Sequence, residues 1–266
     1  MRFEKISLSD TNEAVYLDAY IADPIKCLTR KAILVIPGGG YGGVCADREG
    51  EPIAMAFMPY GYNAFVLHYT VNKTDTFPIQ LIEATKAIKH IKDHAEDYGI
   101  DPNEVFTVGF SAGGHLAACT GVLWKLDAVQ RAVEMSYGYN KPKGTMLIYP
   151  VTTPESHFGS FKNLWATDEP SEEQLRTTNI PLHVDADSAP AFIMHTANDQ
   201  TVDVKGSLEL ATAYSKAKIP FEVHIFPDSP HGVALGNKIT ECGNEKWTKS
   251  AIAEWVRMAA AWAETL

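Results

Sequence analysis

Val105-Phe106-Thr107-Val108-Gly109-Phe110-Ser111-Ala112-Gly113-Gly114-His115-Leu116 decides the fold of this chain. The β-branched and aromatic residues at 105–108 suit a buried strand, and the apolar run at 116–124 suits a helix. Gly-Phe-Ser-Ala-Gly therefore falls on the junction, where a sharp turn lifts a serine hydroxyl above the sheet edge. Side chains two positions before and after that serine would collide across the turn, and Gly109 and Gly113 remove them. The helix start beneath it supplies oriented N–H groups and a dipole that favours a developing anion. Ser111 is the candidate nucleophile.

The same grammar extends in both directions. Residues 2–8 and 14–22 alternate partially around Ser9-Asp10-Thr11-Asn12 and read as an antiparallel hairpin. Short apolar runs at 32–36, 64–70, 105–110, 145–149, 191–195 and 221–226 then alternate with helical patterns, which implies right-handed crossovers and a mostly parallel sheet. Residues 78–98 carry a helical stripe of Ile79, Leu81, Ile82, Ala84, Ala87, Ile88 and Ile91, with Pro78 suited to the first turn. A last helix is expected over about 245–264, from the spacing of Trp247, Ile252, Trp255, Val256, Met258 and Trp262. Residues 151–188 break the rhythm, with no clear strand and a capping box at Ser171-Glu172-Glu173-Gln174. The expectation is one domain over 1–266, with 151–188 as a small lid after the sixth strand.

A serine that attacks a carbonyl needs backbone donors, a base and a carboxylate. The run Pro37-Gly38-Gly39-Gly40-Tyr41-Gly42-Gly43 follows the third strand, and glycines let bare N–H groups approach a developing oxyanion. No Gly-Lys-Ser/Thr follows it, so a phosphate loop is disfavoured. The oxyanion donors are assigned to Gly39, Gly40 and Ala112. Among nine histidines, His231 lies just past the last strand, in a loop at the top of the sheet. His195 and His224 lie inside strands as packed imidazoles, His90 and His94 fall on the long helix as surface residues, and His115 orients or packs under the turn. Asp199 follows the strand at 191–195, and the order Ser111, Asp199, His231 is a known order for such a set. Asp203 is explained as a helix cap, and Asp185 and Asp187 precede the strand at its other end.

Composition removes several function classes. With 45% hydrophobic and 21% charged residues the chain is an ordinary globular protein. A formal net charge of −10 without a basic cluster disfavours nucleic acid and anionic membrane surfaces. No run approaches the roughly 18 apolar residues of a membrane span. The start, Met1-Arg2-Phe3-Glu4-Lys5, lacks a secretory apolar core, and a cytoplasmic location is expected. Four scattered cysteines, Cys27, Cys45, Cys119 and Cys242, argue against a disulfide framework or structural zinc and read mostly as reduced packing residues. No metal or organic cofactor is required by the expected chemistry.

The opening hairpin, Pro-Gly-Gly-Gly-Tyr at 37–41, Arg-Glu-Gly-Glu-Pro-Ile-Ala at 48–54, the elbow at 109–114, and segments 195–202 and 226–232 together resemble the acetyl esterase and xylan-esterase-like (BD-FAE-like) branch of the α/β-hydrolases. The resemblance covers most of the chain and is weakest over 151–188. It implies an α/β-hydrolase fold with an eight-stranded sheet, and hydrolysis of short acyl esters, acetyl groups on sugars included. Pro37 stands where related hormone-sensitive-lipase-like esterases carry His, a variant that looks like the sugar-esterase branch. The implied partner is a small ester, such as an acetylated oligosaccharide; self-association stays open. Tyr41, beside the glycine run, and Trp165, in the lid-like stretch with His157, Phe158 and Phe161, are the candidate substrate contacts, against the plainer reading that such aromatics pack the lid. Aryl formamidase, thioesterase or peptidase activity, or a non-catalytic binding module on the same fold, are the alternatives.

Overall fold

The computed structural model describes residues 1–249 and 251–266. Eight strands form one sheet: β1 Arg2–Ser7, β2 Tyr16–Ile21, β3 Arg30–Ile36, β4 Tyr62–His68, β5 Ile100–Phe110, β6 Thr145–Ile148, β7 Ala191–Thr196 and β8 Phe221–Phe226. Their order is β1-β2-β4-β3-β5-β6-β7-β8. The β1/β2 and β2/β4 pairs are antiparallel and every other pair is parallel.

Strand alternation sorts the core into two layers. From β3, Ala32, Leu34 and Ile36 point to one face and Ile33 and Val35 to the other. Among the described residues ten α-helices cover the sheet and its ends: α1 Ala46–Glu49, α2 Glu51–Phe57, α3 Ile79–Asp93, α4 Ala95–Tyr98, α5 Ser111–Val122, α6 Asp127–Ala132, α7 Phe158–Leu164, α8 Glu172–Thr177, α9 Lys205–Ala217 and α10 Trp255–Ala263. The stripes of α3, α5 and α9 pack on the first face, and those of α2 and α10 on the second. The fold is that of an α/β-hydrolase, with both faces of the parallel part covered.

Three sequence expectations are revised. The stripe at 78–98 is interrupted at His94, whose backbone (φ −105°, ψ +21°) leaves helical geometry between α3 and α4 while its imidazole donates to the His90 carbonyl. Pro78 stands at the cap rather than inside the first turn, and His90 is half-buried, stacked on His94 with ring centroids 4.1 Å apart. The expected helix at 245–264 is helical only in α10, after single turns at Glu245–Trp247 and Ile252–Glu254. The Lys249 N–H donates to the Gly236 carbonyl, which ties this segment to the loop after β8 instead of letting it coil. Ser250, within that expected helix, lies outside the described residues. Of the cysteines only Cys119 is buried, while Cys27 and Cys242 are exposed. Among the described residues no helix is long and apolar enough to cross a membrane.

The excursion at 151–188 holds α7, α8 and a turn at Ile180–Leu182. The Ser171 capping box is present, with the Gln174 N–H on the Ser171 hydroxyl and the Gln174 side chain on the Ser171 N–H. Phe161 buries itself against Val151 and Val202, and the Asn163 amide donates to the Gly40 carbonyl at 2.9 Å, so this segment leans on the glycine run.

Candidate active site

The junction of β5 and α5 sets the site. Ser111 sits at φ +53°, a left-handed conformation in which a side chain is strained and held away from both flanking elements. A Cβ at Gly109 would stand 2.2 Å from the Gly113 carbonyl oxygen, and one at Gly113 would stand 2.2 Å from that of Ile36. Both glycines are therefore set by close approach of backbone to backbone, as the turn chemistry demands.

Loops at the ends of β7 and β8 bring two more groups to this serine. The imidazole Nε2 of His231 is 2.9 Å from Ser111 Oγ, and its Nδ1 is 2.6 Å from Asp199 Oδ2. Since the carboxylate can only accept, Nδ1 carries the proton and Nε2 is left as the acceptor for the serine hydroxyl. The second carboxylate oxygen of Asp199 accepts the N–H groups of Thr201 and Val202, at 2.9 and 3.0 Å. Burial pushes the Asp199 carboxyl up, but hydrogen bonds from His195 and His231 and the Val202 N–H outweigh it and hold the pKa well below the usual carboxylate range. Asp203 does not reach this chain; its Oδ1 accepts the Lys205 N–H at 2.9 Å, at the start of α9.

The glycine run packs directly on the elbow. The N–H groups of Gly39, Gly40 and Ala112 are not taken up by backbone hydrogen bonds among the described residues. They lie on the two segments that flank Ser111, as an oxyanion hole requires. The Gly38 N–H is spent on Glu49.

Tyr41 is a correction. Its ring is 1% exposed and its hydroxyl donates to His115 Nδ1 at 2.8 Å, which removes it from a substrate surface. The His115 Nε2–H donates to the Thr178 carbonyl at 2.8 Å, and burial lowers the imidazole pKa to about 4, so this ring is a neutral tie between the glycine run, α5 and the lid-like segment. Trp165 packs on Phe77 with centroids 5.4 Å apart, and its indole N–H donates to the Thr178 hydroxyl. That is the packing reading of a lid aromatic. Phe161 is likewise buried, edge-on to His115, while His157 caps α7 and Phe158 is exposed.

Sequence reasoning missed two neighbours of the catalytic candidates. His195, read as a packed strand residue, is indeed buried and bonded to Ser207 and Val202, but its Nε2 also comes within 3.4 Å of Asp199 Oδ2. Its position four residues before Asp199 was the available signal. Tyr149, just past β6, sets its ring edge-on to His231 with centroids 4.9 Å apart, and no local pattern announces that contact.

Residues 17–214 match the BD-FAE family. The chain is 35% identical over 213 residues to endo-1,4-beta-xylanase B of Butyrivibrio fibrisolvens, covering 78% of this chain and 33% of that protein. It is 26% identical over 241 residues to the acetylxylan esterase of Xylanibacter ruminicola, covering 87% and 46%. The chain thus spans a third to about half the length of these two relatives. The crystal structure of an acetyl ester-xyloside bifunctional hydrolase from Caldicellulosiruptor lactoaceticus superposes with a TM-score of 0.83 at 31% identity, covering 99% of this chain and 96% of that one. The elbow, the glycine run and the loop after β7 lie within the matched residues 17–214, the fold as a whole is shared with the Caldicellulosiruptor structure, and the chain belongs to the BD-FAE family of α/β-hydrolases.

Proposed function

We propose that this chain is a serine carboxylic ester hydrolase that removes short acyl groups, acetyl groups on sugars foremost, through an acyl-enzyme on Ser111. The observation that carries the reading is the unbroken hydrogen-bond chain from Ser111 Oγ through His231 to Asp199, at 2.9 and 2.6 Å. His231 Nε2 takes the serine proton as Oγ attacks the ester carbonyl carbon, and Asp199 stabilises the imidazolium so formed. The oxygen that becomes negative is met by the N–H groups of Ala112 and of Gly39 or Gly40. Collapse of this intermediate expels the alcohol, which takes the proton from His231 and leaves the acyl group on Oγ. Water then attacks with His231 as base again, releasing the acid and restoring the serine.

The acetyl-sugar part rests on the relatives, one named an acetylxylan esterase and one an acetyl ester-xyloside hydrolase. The residues form a single catalytic domain in this reading, with 151–188 as a lid whose Asn163 braces the glycine run. The test is a hydrolysis panel of aryl acetate, butyrate and octanoate, acetylated xylo-oligosaccharides, a thioester and a formyl amide. Acetate release from the oligosaccharides and preference for acetyl over octanoyl are expected. Failure on every acetylated sugar refutes the sugar assignment. Ser111→Ala should lose on the order of a millionfold in kcat, and a fluorophosphonate probe should label the native protein alone. Equal labelling of both, or turnover by the variant near the native rate, refutes the serine mechanism.

A further inference from the structure

Arg48 and Glu49 are consecutive residues whose side chains run to different parts of the site. Glu49 is 3% exposed. Its Oε2 accepts the Gly38 N–H at 2.8 Å and its Oε1 accepts the Tyr149 hydroxyl, also at 2.8 Å. The Tyr149 oxygen in turn accepts the Ala234 N–H at 2.9 Å, three residues past His231, while the Tyr149 ring lies against the His231 imidazole. Arg48 Nη1 donates to the Gly232 carbonyl at 2.7 Å, with its guanidinium 4.3 Å from the centre of the Trp247 ring. One dipeptide thus joins the glycine run, the residue after β6 and the loop that carries His231.

The chemistry of Glu49 is not that of a packing residue. Among the described residues it makes no ion pair, and a buried carboxylate without one is costly. Burial accordingly pushes its pKa up, while the bonds from Gly38 and Tyr149 pull it back. What a carboxylate alone provides at this place is two oxygens that only accept, facing two fixed donors. The fit is tight as well: a Cβ on Gly38 would stand 2.9 Å from Glu49 Oε2 and 3.0 Å from Ser111 Cβ, so carboxylate, glycine run and nucleophile are in one packed contact.

We infer that Glu49 is a positioning residue, which sets the Gly39 and Gly40 donors through Gly38 and the His231 ring through Tyr149. This rests on the serine-esterase reading above. Glu49→Gln keeps the shape but turns an NH2 toward one of the two donors, whichever way the amide lies. The experiment measures kcat and KM for aryl acetate per titrated active site, inhibition by an acyl trifluoromethyl ketone, and the melting temperature, for Glu49→Gln, Tyr149→Phe and the double variant. A trifluoromethyl ketone adds to the serine hydroxyl and places an oxyanion in the hole, so it reports donor placement directly.

Glu49→Gln should lose about 10- to 100-fold in kcat with KM changed less than about threefold, and should weaken ketone inhibition by a comparable factor. Tyr149→Phe should lose a smaller part, and the double variant no more than Glu49→Gln alone, because both act along one path. A lowered melting temperature with native kcat and ketone affinity overturns the proposal, as does a double loss equal to the product of the single ones. If Glu49→Gln does not fold, Tyr149→Phe, which deletes one hydroxyl, carries the test: loss of kcat matched by loss of ketone affinity supports the proposal and native values of both overturn it. Ser111→Ala run in parallel separates the two readings. An inactive Ser111→Ala beside a fully active Glu49→Gln refutes the role of Glu49 and leaves the serine mechanism standing, whereas activity surviving in Ser111→Ala refutes that mechanism itself.

Discussion

Replacing Asp199 by Asn should cost about 10⁴-fold in kcat, and the structure says why an isosteric change is so severe. The two oxygens of Asp199 do different work. Oδ1 accepts two backbone N–H groups, from Thr201 and Val202, and these donors cannot turn away. An Asn here must therefore keep its oxygen on that side and present its NH2 to His231. Nδ1 of the imidazole, 2.6 Å away, then has to accept, and the ring proton moves to Nε2. Nε2 is the atom that faces Ser111 at 2.9 Å, and once protonated it cannot take the serine proton. Four powers of ten correspond to about 5 kcal/mol of transition-state stabilisation. Folding should suffer far less, because both backbone donors keep their acceptor.

The comparison variant is Asp203→Asn. The Asp203 carboxylate accepts the Lys205 N–H, which an Asn oxygen does equally well, so kcat should stay within about twofold of native. Steady-state hydrolysis of an aryl acetate, normalised by active-site titration, measures both. Asp199→Asn within tenfold of the native enzyme, or a larger loss in Asp203→Asn, refutes the tautomer argument.

Two stability predictions follow from the same region. His115 is buried with its pKa lowered to about 4, against about 6.5 in an unfolded chain, so below pH 6.5 the unfolded state takes up the proton first. Its contribution is fully present above that pH and is lost as pH falls toward 4, on the order of 3 kcal/mol in all; urea midpoints between pH 7 and pH 4.5 should fall less steeply for His115→Gln, and parallel curves would count against it. The lowered pKa of Asp199 adds a further loss only below about pH 4, since that carboxylate stabilises the fold until it is protonated. Gly113→Ala would put a Cβ 2.2 and 2.3 Å from the carbonyl oxygens of Ile36 and Pro37, both backbone atoms that cannot swing aside. A cost of about 3 kcal/mol, or roughly 6 to 12 °C in Tm, is expected along with a large fall in kcat, and an unchanged Tm would mean that β3 and the elbow are not packed as described.

The parts of this molecule that were legible in its sequence are those whose signal is local. The strand, turn and helix around Ser111 occupy a dozen consecutive residues, and collisions across a turn depend on neighbours in the chain, so Gly109 and Gly113 announce it. Asp199 and His231 could be chosen because each follows a strand of the parallel sheet, and the carboxyl ends of such strands all lie on one edge. The helix expected over 245–264 failed for the opposite reason. Its apolar spacing is helical, but Lys249 bonds to Gly236 and Arg48 lies over Trp247, contacts with distant residues that outweigh local preference.

The same distinction explains why Tyr41 is not the substrate contact that the sequence suggests. Tyr41 adjoins the glycine run in sequence, but its φ of +58° turns the side chain beneath the loop, where its hydroxyl meets His115. Proximity along the chain therefore located the backbone donors well and the side chain badly. Glu49, eleven residues from Gly38 and a hundred from Tyr149, carries no local pattern at all; it becomes visible only when one asks what donors surround a buried carboxylate. In this site the groups proposed to do the bond chemistry can be read from short motifs, whereas the groups that hold them in register are long-range. A search for further determinants of rate in this chain should therefore begin from buried polar atoms with two fixed partners rather than from motifs, with His195, held by Ser207 and Val202 and 3.4 Å from Asp199, next in line after Glu49.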